Sequence, residues 1–148
     1  DWVIMVIYFV GRGKIMGVEA TKQYAYSFKF GDEVEITENM RKNLVDGEEV
    51  LAAYKFTKET LGILTNKRII YRGLLYGQTS PLIGKEIYMY TIPYSSIDFY
   101  ASEYLDTTLI NLLQHFTIWT KGGQQISLLF TKNVDMKKVR LIFANSIM

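Results

Sequence analysis

Polar and apolar positions alternate through much of this 148-residue chain. In "YAYSFKF", Tyr24, Tyr26, Phe28 and Phe30 fall on one side, and Ala25, Ser27 and Lys29 on the other. That period of two is the signature of a half-buried strand. Seven further segments read as strands: 48–56, 62–65, 68–72, 85–91, 96–103, 115–120 and 124–130. Gly122-Gly123 separates the last two and predicts a tight hairpin, because glycine accepts the positive φ that primed turns demand. The period then changes. Met136, Val139, Phe143 and Ile147 recur at helical spacing with Ile142 beside them, while Lys137, Lys138 and Arg140 lie mostly off that stripe. An amphipathic helix laid over an apolar surface is expected, with Asn133 as its N-cap and Asp135 at its positive end.

The stretch "LGILTNKRIIYRG" (61–73) has a basic corner between two apolar arms. Leu61, Ile63, Ile69 and Tyr71 fit alternation on either side of Asn66-Lys67, and asparagine tolerates turn conformations. The stretch is therefore predicted to be a hairpin, with Lys67 and Arg68 at its end in a structural or solvated role. From 31 to 47 the chain is polar, and Thr37–Val45 is predicted as a short helix capped by Thr37 and ended by Gly47.

Three segments resist simple alternation. "DWVIMVIYFV" is apolar from Trp2 to Val10, about half of the roughly 20 residues a spanning helix needs. It reads as a buried strand or as the remnant of a membrane anchor. Its basic neighbours Arg12 and Lys14 follow it, unlike those of a secretory signal. "GRGKIMG" lacks the GK[ST] ending of a phosphate loop and reads as a glycine-rich link. The long connections 73–84 and 104–114 are rich in Leu and Ile, so they bury against their own domain or against another subunit.

Composition narrows the function. Apolar residues make up 49% and aromatics 14%, which supports one mainly β domain with a substantial core. A net charge of +2 is too small for a nucleic-acid reader. With no Cys and a single His, His115, a thiol nucleophile and a Cys- or His-rich metal cluster are excluded. No serine stands in a nucleophile-elbow pattern. No catalytic residue, metal or cofactor is expected, and the pair Glu48-Glu49 reads as solubilising.

The segments "DGEEVLAAYKF", "LTNKRIIYRG", "GKEIYMYTIPYSSID" and "FTIWT", followed by the closing helix, resemble the bacterial pleckstrin-homology (PH) domain family over about residues 44–148. The resemblance implies a mainly β fold: a seven-stranded bent barrel of two antiparallel sheets capped by a C-terminal α-helix. Residues 1–43 would form an N-terminal β extension of strands, glycine-rich link and short helix. It also implies a cytoplasmic, non-enzymatic character and assembly into rings.

Two binding modes follow as expectations. Self-association or a protein partner would use Val3, Ile4, Val6 and Ile7 of the first strand, and Leu74, Leu75, Ile110, Leu112 and Leu113 of the apolar connections. Alternatively, a peripheral adaptor at the inner face of the membrane would use weak phospholipid head-group contacts from Lys55, Lys58, Lys67 and Arg68. Lys55 and Lys58 match the loop that carries basic residues in phosphoinositide-binding PH domains, but Glu59 beside them offsets their charge.

Overall fold

Each of the seven segments predicted from Glu48 onward is a strand. The structure, a computed structural model, describes residues 25–74, 86–102 and 113–147. The opening apolar run, the glycine-rich link and most of the two long connections lie outside those residues. The strands are β1 (Ala25–Val34), β2 (Val50–Lys55), β3 (Leu61–Thr65), β4 (Arg68–Leu74), β5 (Ile87–Pro93), β6 (Ile97–Ser102), β7 (Leu113–Thr120) and β8 (Gln125–Thr131). The helix α1 (Met136–Ile147) closes the fold.

The strands form one curled sheet in the order β5-β4-β3-β2-β1-β8-β7-β6, a half barrel that stays open between β5 and β6 among the described residues. β1, expected within the N-terminal extension, lies at the centre of this sheet. Its first part, Ala25–Gly31, runs parallel to β8, and its last part, Asp32–Val34, pairs antiparallel with β2. All other ladders are antiparallel. A parallel pair needs a long connection, and here the whole chain from β2 to β7 provides it.

The changeover within β1 occurs at Gly31. The ladder to β8 is irregular between Lys29 and Gly31, and Gly31 has φ +83°. The Lys29 N–H donates at 3.1 Å to the Tyr71 hydroxyl. A backbone group close to an irregular stretch of ladder thus finds a side-chain acceptor.

Alternation places Phe28 and Phe30 in the core and leaves Ser27 and Lys29 exposed. Phe30 packs against Phe130 and Tyr54, with ring centroids 5.2 and 5.6 Å away. The helix presents Met136, Val139, Ile142 and Phe143 to the sheet, and the Phe143 ring lies 4.4 Å from that of Phe116. The cap is Asp135, not Asn133: its Oδ1 accepts from the Lys137 and Lys138 N–H groups at 3.0 and 3.4 Å. Lys138 Nζ then reaches Glu33 at 2.5 Å, tying the helix to the end of β1.

The helix predicted over Thr37–Val45 shrinks to a single 3-10 turn, Glu38–Arg41. Asn39 and Asn43 are poor helix formers. Beyond the turn, side-chain contacts described below claim the Asn43 carbonyl and the Val45 N–H, so the helical ladder does not continue.

One core group is left unsatisfied. Tyr54 is fully buried, and its hydroxyl has no hydrogen-bond partner among the described residues. Burial accordingly pushes its pKa well above the usual phenol range. Tyr54→Phe is expected to raise the unfolding free energy by about 1 kcal/mol, since it deletes an unpaired buried polar atom. Urea denaturation measures this; a loss of stability would show that the hydroxyl is paired.

Candidate functional site

The "LTNKR" corner joins β3 to β4, as predicted, and it also fastens the polar segment 43–49 to the sheet. Asn66 performs half of this. Its Oδ1 accepts from the Glu49 N–H at 2.8 Å, and its Nδ2 donates to the Gly47 carbonyl at 3.0 Å. Thr65 Oγ1 accepts from the N–H groups of Lys67 and Arg68, each at 3.0 Å, and donates to Glu48 Oε2 at 2.6 Å. From the far side, the buried Tyr94 hydroxyl donates to the Thr65 carbonyl at 2.7 Å.

Glu48 is the centre of this arrangement, and it corrects the solubilising role expected for it. Its side chain is fully buried. Arg68 grips the carboxylate with two donors, Nε at 2.9 Å and Nη2 at 3.1 Å, and Nη2 also donates to the Asn43 carbonyl at 3.0 Å. The Val45 N–H donates to Oε1 at 3.0 Å. Burial alone would raise the Glu48 pKa. The hydrogen bonds from Arg68, Thr65 and Val45, with the Arg68 charge, outweigh it and bring the pKa down to about 2.

These facts decide what the four head-group candidates share. Arg68 is engaged by Glu48, and Lys67 stands exposed at the same corner. Lys55 ends β2 and Lys58 lies in the β2–β3 turn, at the opposite end of β3, about 15 Å away along five residues of strand. The fold brings Lys55 and Lys58 into one neighbourhood and holds Lys67 and Arg68 in another.

Of the nine interface candidates, only Leu74 and Leu113 lie among the described residues. Leu113 is half-buried at the start of β7, whereas Leu74 is 45% exposed. Leu74 stands opposite Ile87 in the β4–β5 ladder, and Arg72 stands opposite Met89. Ile87 and Met89 are 48% and 59% exposed on a strand with no outer neighbour among the described residues. Behind them, a groove of about 210 Å³ runs between the Glu38–Arg41 turn and the sheet, lined in part by Met40, Leu44, Ile63, Ile70 and Met89. Sequence reasoning missed Ile87 and Met89. "IYMYTIP" is apolar at nearly every position, so its period could not separate a covered face from an open one.

The bacterial PH domain sequence model matches residues 22–147. The chain belongs to the bacterial PH domain family. The match takes in β1 as well as all later elements of this bacterial PH domain. Its fold is similar to that of a DUF1696-family protein with a pleckstrin-homology domain from Shewanella loihica, with 21% identity and a TM-score of 0.63 over 79% of this chain and 97% of that one. A pleckstrin homology domain from Shewanella amazonensis shares 22% identity and a TM-score of 0.52 over 71% of this chain and 79% of that one. A search of curated proteins finds no match. Among the described residues of the PH domain, no group of three or more His, Cys, Asp or Glu could hold a metal. No helix among them is long and apolar enough to cross a membrane.

Proposed function

We propose that this bacterial PH domain is a non-catalytic interaction module, acting in the cytoplasm, that self-associates through the β5 edge. One observation carries the reading: an edge strand exposes Ile87 and Met89 beside Leu74. Unpaired apolar edges template pairing with another chain, and natural proteins normally blunt them with charge or cover. No charged residue lies within β5 itself.

A second copy is the occupant that fits. Among the described residues the same sheet has a second edge without a neighbour at β6, with Phe99 exposed beside Trp119, so each copy offers both partners of a head-to-tail contact. A net charge of only +2 opposes such association weakly. The phospholipid adaptor has less support, because its four basic residues are divided between two ends of β3 and Arg68 is committed to Glu48.

Light scattering coupled to size exclusion tests the proposal. The wild type is expected to elute as a multiple of 17.1 kDa at micromolar concentration, and the Ile87→Lys/Met89→Lys variant as the 17.1 kDa monomer. A monomeric wild type would remove the idea.

A further inference from the structure

A second feature lies beside β1, near the β2–β3 turn. A cavity of about 270 Å³ opens there, walled by Tyr26, Phe28, Tyr71, Tyr90 and Phe56, with Lys29 at its side. The rings are packed on one another: Phe28 stacks on Tyr71 at 4.4 Å and lies 4.9 Å from Tyr90, which meets Tyr26 edge-on at 6.2 Å. Such walls accept apolar matter without rearranging.

Ser27, Thr57 and Thr60 add hydroxyls to the lining, and two further polar groups, Lys29 Nζ and the Tyr71 hydroxyl, are suited to an anion. Lys29 Nζ sits 5.7 Å from the centroid of the Phe56 ring, and no carboxylate pairs with it among the described residues. The Tyr71 hydroxyl, on a buried residue, accepts from the Lys29 N–H, and its own proton meets no acceptor among the described residues. A phenol whose pKa is raised, chiefly by burial, keeps that proton at neutral pH and remains a donor. The turn beside the cavity is fixed in advance: Thr60 Oγ1 accepts from the Phe56 and Thr57 N–H groups at 3.0 and 2.9 Å.

We infer that this cavity binds a small amphiphilic monocarboxylate, its apolar body among the rings of Phe28, Tyr71 and Tyr90 and its carboxylate between Lys29 Nζ and the Tyr71 hydroxyl. The volume sets the size. Ligand sites usually run from about 300 to 1,000 Å³, so a short acyl or single-ring acid fits better than a lipid with two chains. The charge sets the class: one free cation and one free donor complement a single carboxylate.

Isothermal titration of the full chain with decanoate tests this, with decanol supplying the chain without charge and acetate the charge without chain. Decanoate is expected to bind at one site per chain, and decanol and acetate each at least about tenfold more weakly. Lys29→Met keeps the apolar stem and is expected to weaken decanoate about tenfold while leaving decanol unchanged. Tyr71→Phe, checked for a native circular dichroism spectrum, is expected to do likewise. Absence of saturable decanoate binding by the folded wild type would overturn the inference. So would equal decanoate affinity in the wild type and Lys29→Met.

Discussion

Replacing Gly31 with alanine is expected to lower the unfolding free energy by more than about 4 kcal/mol, enough to leave little folded protein. Two costs add. An L-residue at φ +83° is strained by about 1 kcal/mol. A Cβ there would also lie 2.4 Å from the Lys55 carbonyl oxygen and 2.6 Å from the Phe56 Cα, both backbone atoms held by the β2 ladder and the turn after it. Neither can yield without parting β1 from β2. Gly123→Ala is the control: Gly123 has φ +93°, but its Cβ would meet nothing within 4 Å, so only the strain of about 1 kcal/mol is expected. Urea denaturation of both variants measures the contrast, and equal losses would refute the crowding argument.

The second large effect is expected at Arg68. Arg68→Ala leaves the Glu48 carboxylate buried without its cation, at an expected cost of about 3–5 kcal/mol and a melting temperature lower by about 10 °C. The pH dependence distinguishes this from lost packing. In the wild type the folded-state pKa of Glu48, about 2, lies below its ordinary value of 4.5. The stabilisation it supplies, about 3 kcal/mol, is therefore complete above about pH 4.5 and is lost as the pH falls from there toward about 2. Without Arg68, burial is opposed only by Thr65 and Val45, so this acid-induced loss is expected to shrink or reverse. Thermal melts between pH 7 and pH 2 on both proteins read it out. An unchanged acid profile in Arg68→Ala would mean that Glu48 does not depend on Arg68.

The strands were legible because each carries its own signal. Tyr26, Phe28 and Phe30 alternate with Ser27 and Lys29, and the turns at Asn66-Lys67 and Gly122-Gly123 mark their hairpins with residues suited to turns. The helix was legible for the same reason, through the stripe of Met136, Val139 and Phe143. What escaped depends on partners far away in sequence. The parallel pairing of β1 with β8 joins residues about a hundred positions apart, and nothing local in "YAYSFKF" distinguishes a central strand from an outlying one. Glu48 reads as a surface acid until Arg68, twenty residues on, is seen to hold it. Gly31 begins a polar stretch and gives no sign that a strand changes neighbours there. Tyr26, Tyr71 and Tyr90 each read as an ordinary strand residue, and only the fold gathers them around one cavity.

Exposure of Ile87 and Met89 was hidden for a related reason. Their strand is apolar on both faces, as a central strand would be, yet among the described residues the ladder ends with it. The functional account rests on that mismatch between a core-like sequence and an edge position.

Hydrogen–deuterium exchange at the β5 amides, measured across a hundredfold dilution of the intact protein, tests it most directly. If a second copy docks on this edge, the outward-facing amides of residues 87–92 are protected at high concentration and lose that protection on dilution. Rapid exchange of those amides at every concentration would contradict the account.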